Sequence, residues 1–176
     1  KKIVESWHCD GLLMKTKDGY PNIIFSAMNE PAASEIVHWR YDPPYDIYNI
    51  EDTDDAILYA IDPLNNFFAM RDDDEKLVGF CSFGEDGRVT GGEYGIEALD
   101  IGMGIHPDLT GQGRGAEYVA AVLAFARKEF SPERLRVTIA AFNLRAQRVW
   151  EKNGFRPVEI FHRETDNREF VILMQH

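Results

Sequence analysis

The sequence has little that would support disulfide cross-linking or metal binding. It contains only two cysteines, Cys9 and Cys81, and neither has a second cysteine at CxxC spacing. The five histidines are scattered along the chain, which argues against a zinc site. Because disulfides belong to oxidising compartments, we expect a reduced, cytoplasmic setting and no metal.

Basic residues and long apolar runs are also scarce. The chain carries 19 Lys and Arg against 30 Asp and Glu, a formal net charge of −11. Nucleic-acid binding requires a basic face, so we expect no nucleic-acid partner, whereas an acidic surface favours a cationic substrate such as an amine. No run approaches the roughly 18 apolar residues of a membrane span, and KKIVESWHCDG does not resemble a signal peptide, so we expect no membrane association.

The composition that remains is that of a globular protein. Hydrophobic residues make up 44% of the 176 residues and charged residues 28%, which suffices for a hydrophobic core. No repeat, low-complexity tract or Gly/Ser-rich linker divides the chain. We predict a single domain over residues 1–176, with residues 1–20 as a candidate N-terminal extension.

The order of turn formers and apolar segments predicts an α+β fold. PNIIFSAM predicts a strand, NEPAASEIVHWR a helix capped by Asn29, and DTDDAILYAID a second helix. NNFFAMRD and KLVGFCSFGE, separated by DDDE, predict an antiparallel hairpin. A strand–helix–strand–helix run follows, and two further strands close the chain, so the sheet is predicted to be mixed.

The most informative stretch is HPDLTGQGRGAEYV, residues 106–119, in which Gly111, Gly113 and Gly115 lie between a predicted strand and a predicted helix. Glycine lets the backbone adopt positive φ and approach a ligand closely. The first N–H groups of a helix carry partial positive charge, and several of them pointing into one concavity bind phosphate. We therefore predict a phosphate or pyrophosphate site at residues 112–116. No Lys-Ser/Thr follows the glycines, which excludes a nucleoside-triphosphate P-loop.

Two alternatives remain for this loop. The glycines also match GxGxxA, the dinucleotide fingerprint, in which the first glycine ends the strand and the next strand usually ends in a carboxylate. Here HPDLT separates the strand from the glycines and the next strand ends in AAFN, so a dinucleotide-binding enzyme is less favoured. The other alternative is a tight turn that binds no ligand.

Residues 101–157 resemble the core of the GNAT superfamily, the acetyl-CoA-dependent N-acetyltransferases. DIGMGIHPDLTGQGRGAEYV resembles the strand, loop and helix that hold the pyrophosphate of acetyl-CoA, with Gly113 and Gly115 in the glycine places of Arg/Gln-x-x-Gly-x-Gly/Ala. LRVTIAAFNLRAQRVWEKNGFRPV resembles the later strand and helix, which Asn143 opens. The predicted element order agrees over most of residues 21–176.

The resemblance implies a central mixed, mostly antiparallel sheet of about seven strands with a splayed parallel pair, flanked by about four helices. It implies that the pantetheine arm of acetyl-CoA lies in the splayed gap, that residues 112–116 cradle the pyrophosphate, and that Asn143 reaches the arm. We expect Arg114 either to add a charge at the phosphates or to be a solvated surface residue, and Trp150 to pack beside the cofactor. The cofactor-binding residues are therefore predicted to be Met103, Gly104, Ile105, Gln112, Gly113, Arg114, Gly115, Ala116, Asn143 and Trp150.

Two positions depart from the family pattern. Thr110 replaces the first Arg or Gln, and Trp150 replaces a tyrosine that often protonates the departing thiolate. An indole N–H does not give up its proton, so the acid falls to water, Tyr118 or another tyrosine, unless the thiolate leaves unaided. This departure also motivates the alternative of a non-catalytic CoA-binding regulatory module.

The implied activity is transfer of an acetyl group from acetyl-CoA to a primary amine of a small molecule or peptide, by direct attack in a ternary complex. The amine must lose a proton first, because an ammonium ion has no lone pair. Asp100, on the strand where many members carry Glu, and Glu97 before it are the predicted catalytic bases.

The acceptor is predicted to lie against HWRYDPPYDIYNIED, residues 38–52. Its tyrosines offer aromatic faces to a cationic group, although they could equally cover the core. Tyr41, Tyr45 and Tyr48 are the predicted substrate-binding residues, and we expect a monomer or a homodimer.

Overall fold

The computed structural model describes residues 12–14 and 22–176, which contain one eight-stranded sheet and four α-helices. Of residues 1–20, only 12–14 belong to the described part. The strands are β1 (Leu12–Met14), β2 (Ile23–Ala27), β3 (Phe67–Arg71), β4 (Leu77–Phe83), β5 (Leu99–Ile105), β6 (Leu135–Ala140), β7 (Arg156–His162) and β8 (Glu169–Gln175). The helices are α1 (Glu30–Ile36), α2 (Asp54–Ile61), α3 (Gly115–Phe130) and α4 (Leu144–Lys152).

The sheet has the order β1-β2-β3-β4-β5-β6-β8-β7. Only β5 and β6 run parallel among these neighbours; the other pairs are antiparallel. The predicted α+β class, with a mostly antiparallel sheet and one splayed parallel pair, is confirmed. The sheet has one strand more than predicted, because β1 adds to the edge at β2.

Hydrophobic packing covers both faces of the sheet. On one face α3 packs through Phe125, whose ring stacks on Phe25 of β2 at 4.4 Å between centroids. The neighbouring β3 residues Ala69 and Met70 belong to different clusters, because successive strand residues point to opposite faces. Ala69 packs with the cluster under α1 and α2.

No helix in the described part of the chain is long and apolar enough to cross a membrane. The longest, α3, has 16 residues, and charged side chains interrupt its exposed face.

A buried ion pair joins the two parallel strands. Asp100 of β5 and Arg136 of β6 are direct partners in the register, and each is 1% exposed. Arg136 donates from Nε to Oδ1 at 2.5 Å and from Nη2 to Oδ2 at 2.9 Å, while Nη1 donates to the carbonyl oxygen of Ile96. Arg88 donates a further bond from Nε to Oδ2 at 2.8 Å. Every charged atom of the pair thus has a partner, which burial requires.

We expect Arg136→Met to lower the free energy of unfolding by about 3–5 kcal/mol, because Asp100 would stay buried with only Arg88 as partner. The double variant Asp100→Leu/Arg136→Met should recover most of this loss. The control is Lys76→Gln, which removes an exposed 3.9 Å contact with Asp74 and should change stability by less than about 1 kcal/mol. Urea unfolding measures all three, and equal losses for Arg136→Met and Lys76→Gln would contradict the assignment.

Candidate functional site

The two parallel strands begin side by side and then separate. β5 and β6 pair only through residues 99–101 and 135–137. Among the described strands, residues 102–105 beyond that point pair with β4 alone, and residues 138–140 pair with β8 alone. An opening therefore lies between residues 102–105 and 138–140, with Ile101 and Val137 at its apex.

Two glycines let side chains of β4 lie over β5 at this opening. A Cβ atom on Gly102 would collide with the Ser82 hydroxyl, and one on Gly104 would collide with the Phe80 ring. A larger side chain at either glycine would displace its neighbour from β4.

The opening widens into a cleft of about 770 Å³, a volume in the range of small-molecule sites. The three tyrosines predicted to bind substrate all lie in its lining, where they extend from the segment before α2: Tyr41, Tyr45 and Tyr48. Six of the predicted cofactor-binding residues also line it: Met103, Ile105, Gly113, Gly115, Asn143 and Trp150. The lining does not include Gly104, Gln112, Arg114 and Ala116.

The glycine loop presents free backbone amides to one end of the cleft. Gly111 and Gly113 have φ of 77° and 81°, a conformation that favours glycine. Among the described residues, no protein acceptor bonds to the N–H groups of residues 111–116. No side chain caps the start of α3, since its N-cap is Arg114. These amides can bind an anion, and the dipole of α3 adds to the attraction.

Basic side chains on α4 line the same cleft. Arg145, Arg148 and Lys152 recur at helical spacing, so they share one face of α4. Arg145 lies beside the loop, because its Nη1 would be 3.4 Å from a Cβ on Gly111. Sequence reasoning missed this stripe, although the spacing of the bases within LRAQRVWEK carries the signal.

Arg114 is engaged elsewhere. Its Nε donates to Glu117 Oε2 at 3.1 Å, and its guanidinium lies over the Tyr118 ring at 5.2 Å. The contact of Arg114 with a cofactor therefore stays a prediction that this arrangement does not favour.

Two tyrosines span the mouth of the opening, each bound to a different strand. Tyr41 donates its hydroxyl proton to the carbonyl oxygen of Ile105 at 2.8 Å. The Tyr48 hydroxyl accepts from the N–H of Ala140 at 3.4 Å and from Nδ2 of Asn143 at 3.3 Å. Burial raises the pKa of Tyr41 to about 12 and also raises the pKa of Tyr48. Both phenols are therefore neutral and weakly acidic at physiological pH.

Asn143 and Trp150 have structural partners as well as places in the cleft lining. Asn143 caps α4, accepting from the N–H of Ala146 at 3.0 Å. Trp150 is 4% exposed and packs edge-on against Phe155 at 4.9 Å. Tyr118, the tyrosine named as an alternative acid, is 2% exposed and lines the cleft, and burial raises its pKa.

The predicted bases lie away from the cleft lining. Asp100 is buried beneath the apex, where its carboxylate accepts bonds from Arg136 and Arg88. Guanidinium donors already occupy both of its carboxylate oxygens, so the geometry favours a role in holding the strands together. Glu97 is exposed before β5 and does not border the cleft. Their roles as bases stay predictions that this arrangement does not favour.

Asp86 is the carboxylate that does border the cleft. It lies in a 3-10 turn, Glu85–Gly87, directly after β4, and its Oδ2 accepts from Ser82 Oγ at 2.7 Å. The same oxygen would be 3.2 Å from a Cβ on Gly102, which places it beside the apex. Asp86 as a whole is exposed, but its carboxylate packs against Ser82 and Gly102; this local burial raises the pKa of Asp86, and the Ser82 hydrogen bond opposes that rise by a smaller amount. Sequence reasoning missed Asp86 because GEDG reads as an ordinary polar turn.

Within the described residues, no three His, Cys, Asp or Glu side chains lie close enough together to hold a metal ion. The Cys81 thiol is fully buried in the core, and burial raises its pKa well above the ordinary value. A buried, protonated thiol is not a nucleophile.

Comparisons with known proteins agree on one class. A family model described as an acetyltransferase (GNAT) domain matches residues 14–156. A GNAT-family acetyltransferase from Bacillus anthracis superposes with a TM-score of 0.68 at 17% identity, covering 87% of this chain and 93% of that one. A chimera of the spermidine N-acetyltransferase SpeG from Vibrio cholerae and hSSAT superposes with a TM-score of 0.67 at 15% identity, covering 86% and 93%. Comparison with curated proteins gives no match.

We expect Tyr41→Phe to change how stability depends on alkaline pH. With a pKa raised from 10.0 to about 12, neutral Tyr41 stabilises the folded state below pH 10, and this contribution disappears as the pH rises to 12. The variant should therefore lose less stability than the wild type over this window, which urea unfolding at a series of pH values measures. Equal losses would mean that the Tyr41 hydroxyl is not withdrawn from water.

Proposed function

This chain belongs to the GNAT acetyltransferase family, and we propose that it transfers the acetyl group of acetyl-CoA to a primary amine of a small molecule or peptide. The observation that carries the proposal is the separation of β5 from β6 beside a row of amides at the start of α3 that have no acceptor in the described part of the chain. The family match favours this activity over a dinucleotide enzyme or a non-catalytic module.

The residues at the glycine loop fit the phosphates of coenzyme A. The free N–H groups of residues 111–116 offer backbone donors to a pyrophosphate. Arg145, Arg148 and Lys152 supply positive charge in a protein whose net charge is −11. Without such a local basic face, an anionic cosubstrate would be repelled by the rest of the surface.

The opening between the parallel strands fits an extended amide-containing chain. Residues 102–105 and 138–140 each have a strand partner on one side only, so the pantetheine arm could pair with the other side as a short strand does. The carbonyl oxygen of Ile105 already accepts from Tyr41. Met103 and Gly104 are therefore the stronger candidates for pairing with the arm.

Acetyl-CoA supplies an activated thioester, and the residues of this chain position it and manage protons. A backbone N–H of β5 near the apex can donate to the carbonyl oxygen as it gains negative charge. None of the cleft tyrosines favours proton donation, because burial raises the pKa of Tyr41, Tyr48 and Tyr118. A thiolate with an ordinary pKa near 8.5 can leave with water as its proton source or unaided, which is compatible with the replacement of tyrosine by Trp150.

The acceptor is proposed to enter past Tyr41, Tyr45 and Tyr48. The guanidinium of Arg145 lies over the Tyr45 ring at 4.6 Å, so one cation–π contact already forms at this wall of the cleft. Because several proteins of the same fold are spermidine N-acetyltransferases, a polyamine is one acceptor to include in a test.

The direct assay is release of free thiol when the protein is incubated with acetyl-CoA and a panel of amines. We expect thiol release with at least one amine and binding of coenzyme A by calorimetry. No thiol release across the panel, together with no binding of coenzyme A, would rule out the proposed activity.

We expect Gly113→Ala to weaken binding of coenzyme A about tenfold. An alanine disfavours the φ of 81°, so the loop would turn and at least one phosphate-binding amide would be lost. The control is Gly95→Ala, in open space on a loop that does not border the cleft, which should leave the Kd unchanged. Calorimetry compares them, and an unchanged Kd for Gly113→Ala would remove the loop from the site.

A further inference from the structure

A second, smaller cavity lies beside the apex of the strand opening. It has a volume of about 270 Å³ and lies between the sheet and helices α1 and α2. Its walls come from α1 (Ala33, Ile36), α2 (Ala56, Ala60) and the β4 residue Phe80 among others. A cavity of roughly 150 Å³ accommodates benzene, so this one has room for a phenyl ring or a short alkyl chain.

Asp86 joins this cavity to the large cleft. It is the one described residue that lines both spaces, and the one carboxylate in either lining. Its oxygen lies near Gly102, the first residue of β5 beyond the apex. A cation held by Asp86 would therefore stand between the apolar cavity and the strand opening.

The remaining walls of the small cavity are apolar apart from the Tyr59 hydroxyl. A single charged nitrogen at Asp86 could be paired, whereas a second ammonium group inside the cavity would find no carboxylate. A ligand with one amine and an apolar substituent matches this distribution. A polyamine does not.

We propose that Asp86 binds and deprotonates the acceptor amine, and that the acceptor is a monoamine whose apolar substituent occupies the cavity under α1 and α2. This inference rests on the acetyltransferase activity proposed above. Ser82 is a positioning residue, because its hydroxyl holds the Asp86 carboxylate in place.

The proton balance of the step is as follows. An N–C bond forms to the acetyl carbon, the C–S bond breaks, and its electron pair stays on sulfur. Of the two protons that leave the ammonium nitrogen, one passes to Asp86 and then to solvent, and the other ends on the thiol of coenzyme A. Asp86 is exposed to solvent where it lines the cleft, so a proton that it accepts can pass to water, while the Ser82 hydroxyl holds its carboxylate toward the opening.

The ionisable groups near Asp86 leave its carboxylate available to a substrate amine. From α2 the neighbouring ionisable group is Tyr59, whose own pKa is raised by burial and by Asp86 and Glu85. Arg88, two residues on, bonds to Asp100 instead. No titratable group faces Asp86 from β5, where its neighbour is Gly102.

The experiment is a thiol-release assay at saturating acetyl-CoA with ethylamine, butylamine, hexylamine, phenethylamine and spermidine. We expect kcat/KM to rise about threefold to fourfold per buried methylene until the cavity is filled, with spermidine below hexylamine. Spermidine as the best acceptor, or no dependence on chain length, would overturn the apolar-monoamine inference.

Cavity filling is tested by Ala56→Phe, with Leu58→Phe as the control on the same helix. Leu58 is 60% exposed and does not line the cavity. Ala56→Phe should lower kcat/KM for phenethylamine at least about tenfold while ethylamine changes little, and Leu58→Phe should change neither. Ala60→Leu serves as a second filling variant, and unchanged binding of coenzyme A confirms folding. If both filling variants retained the wild-type kcat/KM for phenethylamine, the assignment of the cavity would be refuted.

Asp86→Asn tests the base. Its kcat should fall by about 100-fold or more with every amine, the acid limb of the wild-type kcat–pH profile should vanish, and the Kd for coenzyme A should be unchanged. A variant that retains wild-type kcat contradicts the role of Asp86. In either case wild-type turnover with some amine keeps the acetyltransferase proposal standing, whereas absence of turnover and of coenzyme A binding defeats that proposal itself.

Discussion

The ion pair between Asp100 and Arg136 is the constraint on which the site depends. It joins β5 to β6 in a parallel contact that spans only residues 99–101 and 135–137. Immediately beyond it the strands separate, so the pair marks where the sheet stops being continuous. A buried ion pair contributes little net stability compared with apolar packing, but a one-residue slip of β5 against β6 would separate Asp100 from Arg136 and leave both charges buried without each other. That property suits an apex whose position sets the depth of the cleft.

Around that apex, the two faces of the sheet contribute different chemistry. The α3 face ends in the glycine loop, where free amides and the bases of α4 favour an anion. The α1 and α2 face ends in an apolar cavity bordered by Asp86, which favours one cation with an apolar substituent. Asp86 lines both spaces, beside Gly102 at the strand opening. An anionic acyl donor on the glycine loop and α4, and a cationic acceptor at Asp86, would then meet at the separation of β5 and β6.

Local features of this arrangement could be predicted from the sequence, because short segments determine them. The alternating glycines of residues 111–115 and the capping role of Asn143 depend on neighbouring residues, and the structure contains the uncapped helix start and the cap. The role of Asp100 cannot be predicted from neighbouring residues. Its environment depends on Arg136, which is distant in the chain and adjacent only across the sheet. Asp86 carries no local signal, because its importance comes from two cavities assembled by α1, α2 and the strand opening.

A crystal structure with bound coenzyme A tests the central claim most directly. The account predicts the pyrophosphate on the N–H groups of residues 111–116, the pantetheine arm between residues 102–105 and 138–140, and the sulfur near the apex beside Asp86. Coenzyme A bound elsewhere on the surface, with the strand opening closed or filled by protein side chains, would contradict it.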